Sequence, residues 1–210
     1  LFKILGLDPT PYLDLTALGI VADIAQLTGD TRYLLQIGLP VLRDTPRKGL
    51  QALYRSADLS PSSISEEDIG FKIGPRLNAL GRLKNALPAV ELLTTGDEIR
   101  AAELADYLES LNYERRQLTE TIYESALQLI EQDTALLENY SALVLKDPSW
   151  HAGVIGIVAS RLVEKFNKPT ILLTQDGDIV KGSARSIKGV PISAMIAEQD
   201  KLLLSHGGHP

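Results

Sequence analysis

The 210-residue chain contains no cysteine. This absence excludes disulfide bonds and thiolate metal sites, and it fits a reducing compartment, so we expect a cytoplasmic protein. No apolar run reaches the roughly 20 residues of a membrane-spanning helix, and no charged-then-apolar signal peptide opens the chain. Disulfide scaffolds are therefore excluded, no membrane-spanning helix is predicted, and the length allows a globular protein of one or two domains.

Histidine and aromatic residues are scarce as well. With three histidines and no Gly-x-Ser-x-Gly elbow, the sequence does not support a serine hydrolase. Aromatic residues make up 5% of the chain and are not interleaved with its basic motifs, so a stacking platform for single strands is not predicted. The spacing of His206 and His209 indicates zinc only weakly, because no other nitrogen or thiolate ligand is near in sequence.

The net charge of −6 is unevenly distributed. Between Glu91 and Glu138 there are twelve acidic and three basic residues, a local charge of −9, which leaves the rest of the chain at +3. A uniformly acidic protein would repel nucleic acid. Here a nucleic-acid partner is permitted, because the acidity is confined to one segment.

A basic, glycine-rich motif occupies residues 70–81, which read Gly-Phe-Lys-Ile-Gly-Pro-Arg-Leu-Asn-Ala-Leu-Gly. This stretch and the residues just after it contain no acidic side chain and four basic ones: Lys72, Arg76, Arg82 and Lys84. The glycines let the backbone approach a partner closely, and guanidinium groups match phosphate oxygens. The motif therefore predicts a local anion site.

A second motif, at residues 13–23, is almost wholly apolar and ends in the carboxylate of Asp23. A carboxylate buried in such surroundings needs a cation, a metal ion or a hydrogen-bond partner. The spacing alone favours a helix-terminal or capping aspartate.

Two motifs in the carboxyl half combine small and basic residues. Residues 181–186 offer two hydroxyls and one guanidinium on a permissive backbone, which suits a phosphate pocket but is also typical of a surface turn. Residues 153–161, which follow His151, fit a helix that binds phosphate at its start or one packed closely on a sheet. They match a dinucleotide-binding fingerprint poorly, because the third glycine is missing.

One long helix is predicted to divide the chain. No glycine or proline occurs between Asp97 and Asp147, and residues 95–98 give a capping-box start. A leucine-rich stripe follows: Leu104, Leu108, Leu111, Leu118, Ile122 and Leu129. These signals predict a connector helix from about residue 97 to about residue 136. A homodimeric coiled coil is the alternative, although the stripe is short and broken.

The patterns on the two sides of this helix differ. Before it, glycine, proline and serine signals separate five predicted short helices, at 15–27, 32–42, 50–57, 66–77 and 87–93. After it, a small α/β module is predicted from β-rich runs at 142–145 and 170–174, a hairpin signal at 175–178, and helices at 153–166 and 192–203.

Five motifs, in this order, resemble the RecJ single-stranded-DNA exonucleases of the DHH phosphoesterase superfamily. They are Leu-Asp-Leu-Thr-Ala-Leu-Gly-Ile-Val-Ala-Asp (13–23), Gly-Pro-Arg-Leu-Asn-Ala-Leu-Gly-Arg (74–82), Trp-His-Ala-Gly-Val-Ile-Gly-Ile-Val-Ala-Ser-Arg-Leu (150–162), Gly-Ser-Ala-Arg-Ser-Ile (182–187) and Gly-Gly-His (207–209). The family's Asp-His-His motif and its aspartate-rich metal motif are absent. We therefore expect the middle part of a longer enzyme, without most of the metal ligands.

The resemblance implies an α/β fold in three parts. Residues 1–95 would be the helical end of a DHH catalytic domain, and residues 96–138 a long connector helix. Residues 139–210 would be a small DHH-associated α/β domain with a mixed sheet, truncated at its carboxyl end. A monomer without membrane association is expected.

The resemblance also implies a chemistry. The intact enzyme would hydrolyse phosphodiester bonds in single-stranded DNA from the 5′ end, releasing mononucleotides in repair and recombination, with two Mn²⁺ or Mg²⁺ ions to activate water. Asp23 would be a metal ligand and Arg76 a further catalytic residue. The residues implied to bind substrate are Arg76, Asn78, Arg82, His151, Arg161, Ser183, Arg185, Ser186, Gly207, Gly208 and His209. The 210-residue chain alone is expected to be inactive.

Two alternatives stay open. A DHH-family oligoribonuclease or cyclic-dinucleotide phosphodiesterase would share the later motifs, although the motif at 74–82 separates RecJ from these shorter relatives. A non-catalytic, nucleic-acid-binding scaffold would keep the fold without the metal ions. DNA and RNA substrates of increasing length would test the first alternative, and the presence of upstream aspartates and histidines would test the second.

Overall fold

A computed structural model gives the fold and describes residue 6 and residues 8–208. The chain forms two compact units, Leu1–Glu114 and Arg115–Pro210. The predicted α/β class is confirmed, because helices predominate and the second unit contains a three-stranded mixed sheet. In the part of the chain that the structure describes, no helix is long and apolar enough to cross a membrane. The division into three parts at residues 95 and 138 stays a prediction.

The first unit is helical. It contains α1 (Leu13–Ala22), α2 (Gly29–Arg43), α3 (Lys48–Ser56), α4 (Glu66–Asp68), α5 (Gly74–Leu83), α6 (Leu87–Thr94) and the first part of α7 (Glu98–Gln132), with 3-10 turns at Thr10–Tyr12 and Pro61–Ser63. Aliphatic side chains from these helices form one core, which includes the fully buried Leu42, Leu50, Leu53, Ile64, Ile69, Ile73, Leu80, Leu92 and Leu108.

Two glycines allow helices of this unit to approach closely. A Cβ atom at Gly38 of α2 would lie 2.5 Å from the carbonyl oxygen of Leu13 in α1. A Cβ atom at Gly49 of α3 would lie 1.7 Å from the carbonyl oxygen of Leu92 in α6. Any larger residue at either position would force the helices apart, so these two positions set the spacing of the helix pairs.

Asp14 of α1 is fully buried and forms the central ion pair of this unit. Its Oδ2 accepts hydrogen bonds from Arg47 Nε and Thr45 Oγ1, both at 2.8 Å. Arg47 also donates to the carbonyl oxygens of Leu93 and Pro11, at 3.3 and 3.1 Å. One carboxylate thereby ties α1 to the loop between α2 and α3, and through Arg47 to the end of α6.

The second unit is α/β. Besides the rest of α7, it contains α8 (Ala135–Glu138), β1 (Leu143–Lys146), α9 (Ile155–Phe166), β2 (Thr170–Asp176), β3 (Ile179–Arg185), α10 (Ile192–Ala197) and a 3-10 turn at Asp200–Leu202. β1 pairs in parallel with β2, and β2 pairs antiparallel with β3. The predicted hairpin is confirmed, because Gly177 and Asp178 alone join β2 to β3 and Gly177 has a φ of +60°.

Several predicted boundaries were wrong. The long helix ends at Gln132, four residues before the predicted end, and the Asp133 carboxylate then accepts the backbone N–H of Ala135 at 3.2 Å. The helix predicted at 66–77 is interrupted by a π-helical turn at Ile69–Ile73 and then continues to residue 83. The helix predicted at 192–203 ends at residue 197, and a separate 3-10 turn follows.

Replacing Asp14 with asparagine should destabilise the first unit by about 3–5 kcal/mol, because Arg47 would keep a largely buried charge without its counter-ion. Urea unfolding followed by circular dichroism measures this loss. Asp44→Asn, which removes an exposed carboxylate after α2, is the matched control and should change stability by about 0.5 kcal/mol or less. Equal effects of the two substitutions would contradict the role given to Asp14.

Candidate nucleic-acid interface

The end of α1 meets the start of α5 at the π-helical turn. Gly74 donates its backbone N–H to the carbonyl oxygen of Ile69, five residues earlier, and Pro75 follows without an N–H of its own. A Cβ atom at Gly74 would lie 2.9 Å from that oxygen and 3.6 Å from Cβ of Ala22 in α1. The turn and the glycine therefore bring α5 against the last turn of α1. Such π-turns are rare and are often found at functional sites.

This contact brings two predicted motifs together. A shallow concavity is lined by Ala22, Asp23, Ile24, Asn78 and Arg82. Asn78 and Arg82 are four residues apart on α5 and share one face of that helix, whereas Asp23 directly follows α1. The carboxylate, the amide and the guanidinium are all exposed, so they can contact a ligand.

Asp23 is the C-terminal cap of α1, and its side chain is exposed. The interpretation as a helix-terminal residue, which the spacing favours, therefore describes its position. The helix dipole places partial negative charge at this end, so a carboxylate here is unfavourable by about 0.3–1 kcal/mol. Capping chemistry thus gives no reason for an acidic residue at this position.

The chain leaves α1 through a Schellman motif with isoleucine where glycine is usual. Ile24 has a φ of +55°, its N–H donates to the Val21 carbonyl at 3.1 Å, and the N–H of Ala25 donates to the Ile20 carbonyl at 3.0 Å. A left-handed backbone costs a β-branched residue about 1–2 kcal/mol. Ile24 is also 89% exposed. The sequence patterns did not single out this residue, because isoleucine rarely adopts a positive φ and its presence does not predict one.

Arg76 is not among the residues that line the concavity. Its Nε forms an ion pair with Glu109 of α7, and its Nη1 donates to the carbonyl oxygen of Lys72 at 2.7 Å. Its side chain is 13% exposed. These contacts hold α5 against α7, and the predicted role of Arg76 in binding phosphate stays a prediction.

Asp23 supplies one carboxylate but not a complete metal site. Among the residues that the structure describes, no three His, Cys, Asp or Glu side chains lie close enough together to hold an ion. Mg²⁺ prefers an octahedron of oxygen ligands. Asp23 and the amide oxygen of Asn78 could provide at most two of these oxygens, and the guanidinium of Arg82 would oppose a cation. The described residues therefore fit part of such a site.

In the second unit, the start of α9 lies against β3. A Cβ atom at Gly156 would lie 2.8 Å from Ser183 Oγ and 3.2 Å from Arg185 Nη2. The guanidinium of Arg185 donates to the carbonyl oxygen of Ala184 at 2.7 Å and to Ser183 Oγ at 3.4 Å. The first N–H groups of a helix and a guanidinium both attract anions, so this corner suits a phosphate. Residues 181–185 are not a turn, because they pair with the apolar β2 and form part of β3.

His151 lies in the loop between β1 and α9. Its Nδ1 accepts the N–H of Gly153 at 3.1 Å, and an imidazole that accepts at Nδ1 carries its proton on Nε2. The ring is exposed, so Nε2 can donate to a ligand. Trp150 anchors the loop: its Nε1 donates to Ser125 Oγ at 3.1 Å, and its carbonyl oxygen accepts from Thr174 Oγ1 at 2.5 Å.

Arg161 and Ser186 make contacts within the fold. Arg161 forms a bidentate ion pair with Glu120 of α7, at 2.7 and 3.3 Å, and its Cζ lies 3.7 Å from the ring centre of Tyr123. The hydrogen bond from Arg161 holds the pKa of the Glu120 carboxyl below its usual range. Ser186 Oγ donates to the carbonyl oxygen of Val190 at 2.8 Å. The substrate-binding roles predicted for both residues stay predictions.

The last predicted motif is only partly described. Gly207 and Gly208 are exposed and follow the 3-10 turn without regular structure, and His209 lies outside the described residues. His206 Nε2 lies 3.2 Å from Asp200 Oδ1, so the contact described for this histidine is with a carboxylate.

Known proteins resemble this chain in both sequence and fold. The chain is 39% identical over 209 residues to the single-stranded-DNA-specific exonuclease RecJ of Bacillus subtilis, which covers 99% of this chain and 26% of that protein. Against RecJ of Escherichia coli the identity is 37% over 204 residues, covering 94% of this chain and 35% of that protein. The crystal structure of Thermus thermophilus RecJ in complex with Mg²⁺ has a similar fold, with a TM-score of 0.85 and 34% sequence identity. The match covers 100% of this chain and 32% of the chain in that structure. The chain is a relative of RecJ.

The match to RecJ includes a recognised domain. Residues 139–210 match the DHHA1 domain family. A structure of exonuclease RecJ bound to manganese matches 100% of this chain and 51% of its own, with a TM-score of 0.78 and 36% identity. The predicted resemblance to RecJ is thereby confirmed. The chain spans about a quarter to a third of the length of the curated RecJ relatives cited above.

A methyl group at position 156 should disturb the corner where α9 meets β3. Gly156→Ala should cost about 1–3 kcal/mol of stability, because Ser183 and Arg185 must move to admit the Cβ atom. Gly19→Ala is the matched control within α1, where a Cβ atom would meet nothing within 4 Å. It should be neutral or stabilise the protein by up to about 1 kcal/mol. Thermal unfolding of both variants tests the close approach, and equal effects would contradict it.

Proposed function

We propose that the chain is part of an exonuclease, dependent on Mn²⁺ or Mg²⁺, that degrades single-stranded DNA from the 5′ end to mononucleotides. It would act as a monomer in the cytoplasm, in DNA repair and recombination. The observation that carries the proposal is the 37–39% identity to RecJ proteins along 94–99% of the chain, a stretch that includes the Asp23 concavity. Because the relatives are longer, the activity is proposed for a protein that contains this chain.

In the first unit, Arg82 and Asn78 would hold a phosphate of the strand. A guanidinium can pair with two phosphate oxygens, and the amide of Asn78, one helical turn away, can donate to a third. Contacts to phosphate carry no sequence information. This arrangement therefore suits an enzyme that must accept each successive nucleotide regardless of its base.

Asp23 would contribute one ligand to the metal ions, and the remaining ligands would come from outside the described residues. Such ions, when bound, lower the pKa of a water molecule and neutralise charge at the scissile phosphate. The part played by this chain is to hold the Asp23 carboxylate at the end of a fixed helix, beside the two groups that would bind the phosphate.

In the second unit, Ser183, Arg185 and His151 would bind a further phosphate or a terminal nucleotide. Ser183 and Arg185, on β3, lie against the first turn of α9. His151 presents an Nε2–H donor. The proposal extends to Ser186 and to residues 207–209. Arg76 and Arg161 are also included, but each would have to leave its carboxylate partner before it could contact DNA.

In the complete enzyme, Asp23→Asn should lower the exonuclease rate on 5′-labelled single-stranded DNA with Mn²⁺ by about 100-fold or more, as expected for a lost metal ligand. Thermal unfolding should be unchanged or slightly improved, because the side chain is exposed at the negative end of a helix dipole. Asp30→Asn, at the start of α2, is the exposed control. Near-normal turnover by the Asp23 variant would rule out the metal role.

A phosphate contact by Arg82 predicts a change in salt dependence. Arg82→Ala should weaken binding to single-stranded DNA and reduce the slope of log K against log salt by about 0.7, since one fewer counter-ion is released. Arg32→Ala, at an exposed position on α2, removes the same charge and should leave the slope unchanged. Fluorescence anisotropy measures the affinity of each variant for single-stranded DNA from about 50 to about 200 mM salt, and these affinities give the salt slope of each variant. An unchanged slope for Arg82→Ala would remove this residue from the interface.

A further inference from the structure

Ile24 is unfavourable in both its backbone and its side chain. Its φ of +55° lies in the left-handed region, which β-branched residues avoid, and its side chain is 89% exposed. Burial therefore gives no compensation for the strained backbone. Locally unfavourable residues that persist in a well-packed fold are found mainly at functional sites.

The end of α3 shows that this backbone shape does not require isoleucine. There Asp58 has a φ of +53°, its N–H donates to the Arg55 carbonyl at 3.2 Å, and the N–H of Leu59 donates to the Tyr54 carbonyl at 2.9 Å. The motif is the same, but the left-handed position holds aspartate, which tolerates it better. The backbone conformation therefore does not explain why isoleucine occupies position 24.

Ile24 is one of the residues that line the same concavity as Asp23, Asn78 and Arg82. The concavity thus combines a guanidinium and an amide, which suit a phosphate, with one exposed aliphatic group. A nucleotide has both features, because its charged phosphate is linked through the sugar to a base with apolar faces. A ligand with phosphate alone would give no reason for the aliphatic group.

We propose that Ile24 is a substrate-binding residue that contacts the face of the base whose phosphate lies against Arg82. The inference rests on the proposed function and adds a group that contacts the base of the nucleotide. An aliphatic side chain touches all four bases alike, so the contact would add affinity without sequence preference. It would also position the nucleotide for hydrolysis next to Asp23.

The test uses Ile24→Gly in the 210-residue chain and measures binding of a fluorescent single-stranded oligothymidylate by anisotropy. The substitution relieves the left-handed strain, so the unfolding temperature should stay equal or rise by about 2–4 °C, while affinity should fall about three- to tenfold. Ile24→Leu, which keeps an aliphatic side chain, should retain most of the affinity. Asp58→Gly is the matched control, because it relieves the same left-handed strain at a position outside the concavity. It also removes a negative charge, so its affinity for the oligonucleotide should not fall.

An oligonucleotide of abasic residues separates a base contact from other effects. The wild-type chain should bind the abasic strand more weakly than oligothymidylate, and Ile24→Gly should bind the abasic strand as well as the wild type does. Equal affinity of Ile24→Gly and wild type for oligothymidylate would overturn this inference alone. Failure of the wild-type chain to bind either strand would overturn the inference together with the DNA-binding part of the proposed function.

Discussion

The buried ion pair between Asp14 and Arg47 determines where α1 lies. A buried carboxylate without its cation would cost several kcal/mol, so α1 is stable only where Arg47 and Thr45 reach it. Asp23, the C-terminal cap of the same helix, follows nine residues later, about 13 Å along the helix axis. A rigid helix transmits its position to its end, so the placement of the candidate metal ligand depends on an ion pair in the core of the unit.

At that end, local stability and the candidate site conflict. The carboxylate of Asp23 sits at the negative end of the helix dipole, and Ile24 adopts a left-handed backbone with an exposed aliphatic side chain. Each feature alone is tolerable, but two consecutive residues that oppose local preference indicate selection for something other than folding. The core beneath them, with its close helix contacts at Gly38 and Gly49, provides the stability that allows this.

Sequence patterns predicted what depends on local chemistry. The long helix, the hairpin at Gly177 and the short helices follow from capping, periodicity and turn residues. The resemblance to RecJ paired Asp23 with the motif of Arg82, which the structure brings together. The sequence patterns did not single out Asp14 as the buried acid, because within an apolar run only the fold decides that Asp14 is buried and Asp23 exposed. The strain at Ile24 was missed for a similar reason, since it arises from the reversal of the chain after α1.

The acidic residues of α7 explain why basic motifs alone did not locate every contact. Glu109 pairs with Arg76 in the first unit, and Glu120 pairs with Arg161 in the second. The negative charge concentrated in this segment therefore serves partly to hold arginines that sequence reasoning assigned to DNA. At Arg76 and Arg161, a phosphate would have to compete with a carboxylate already in place. Motif membership alone therefore does not distinguish an arginine that supports the fold from one that contacts a strand.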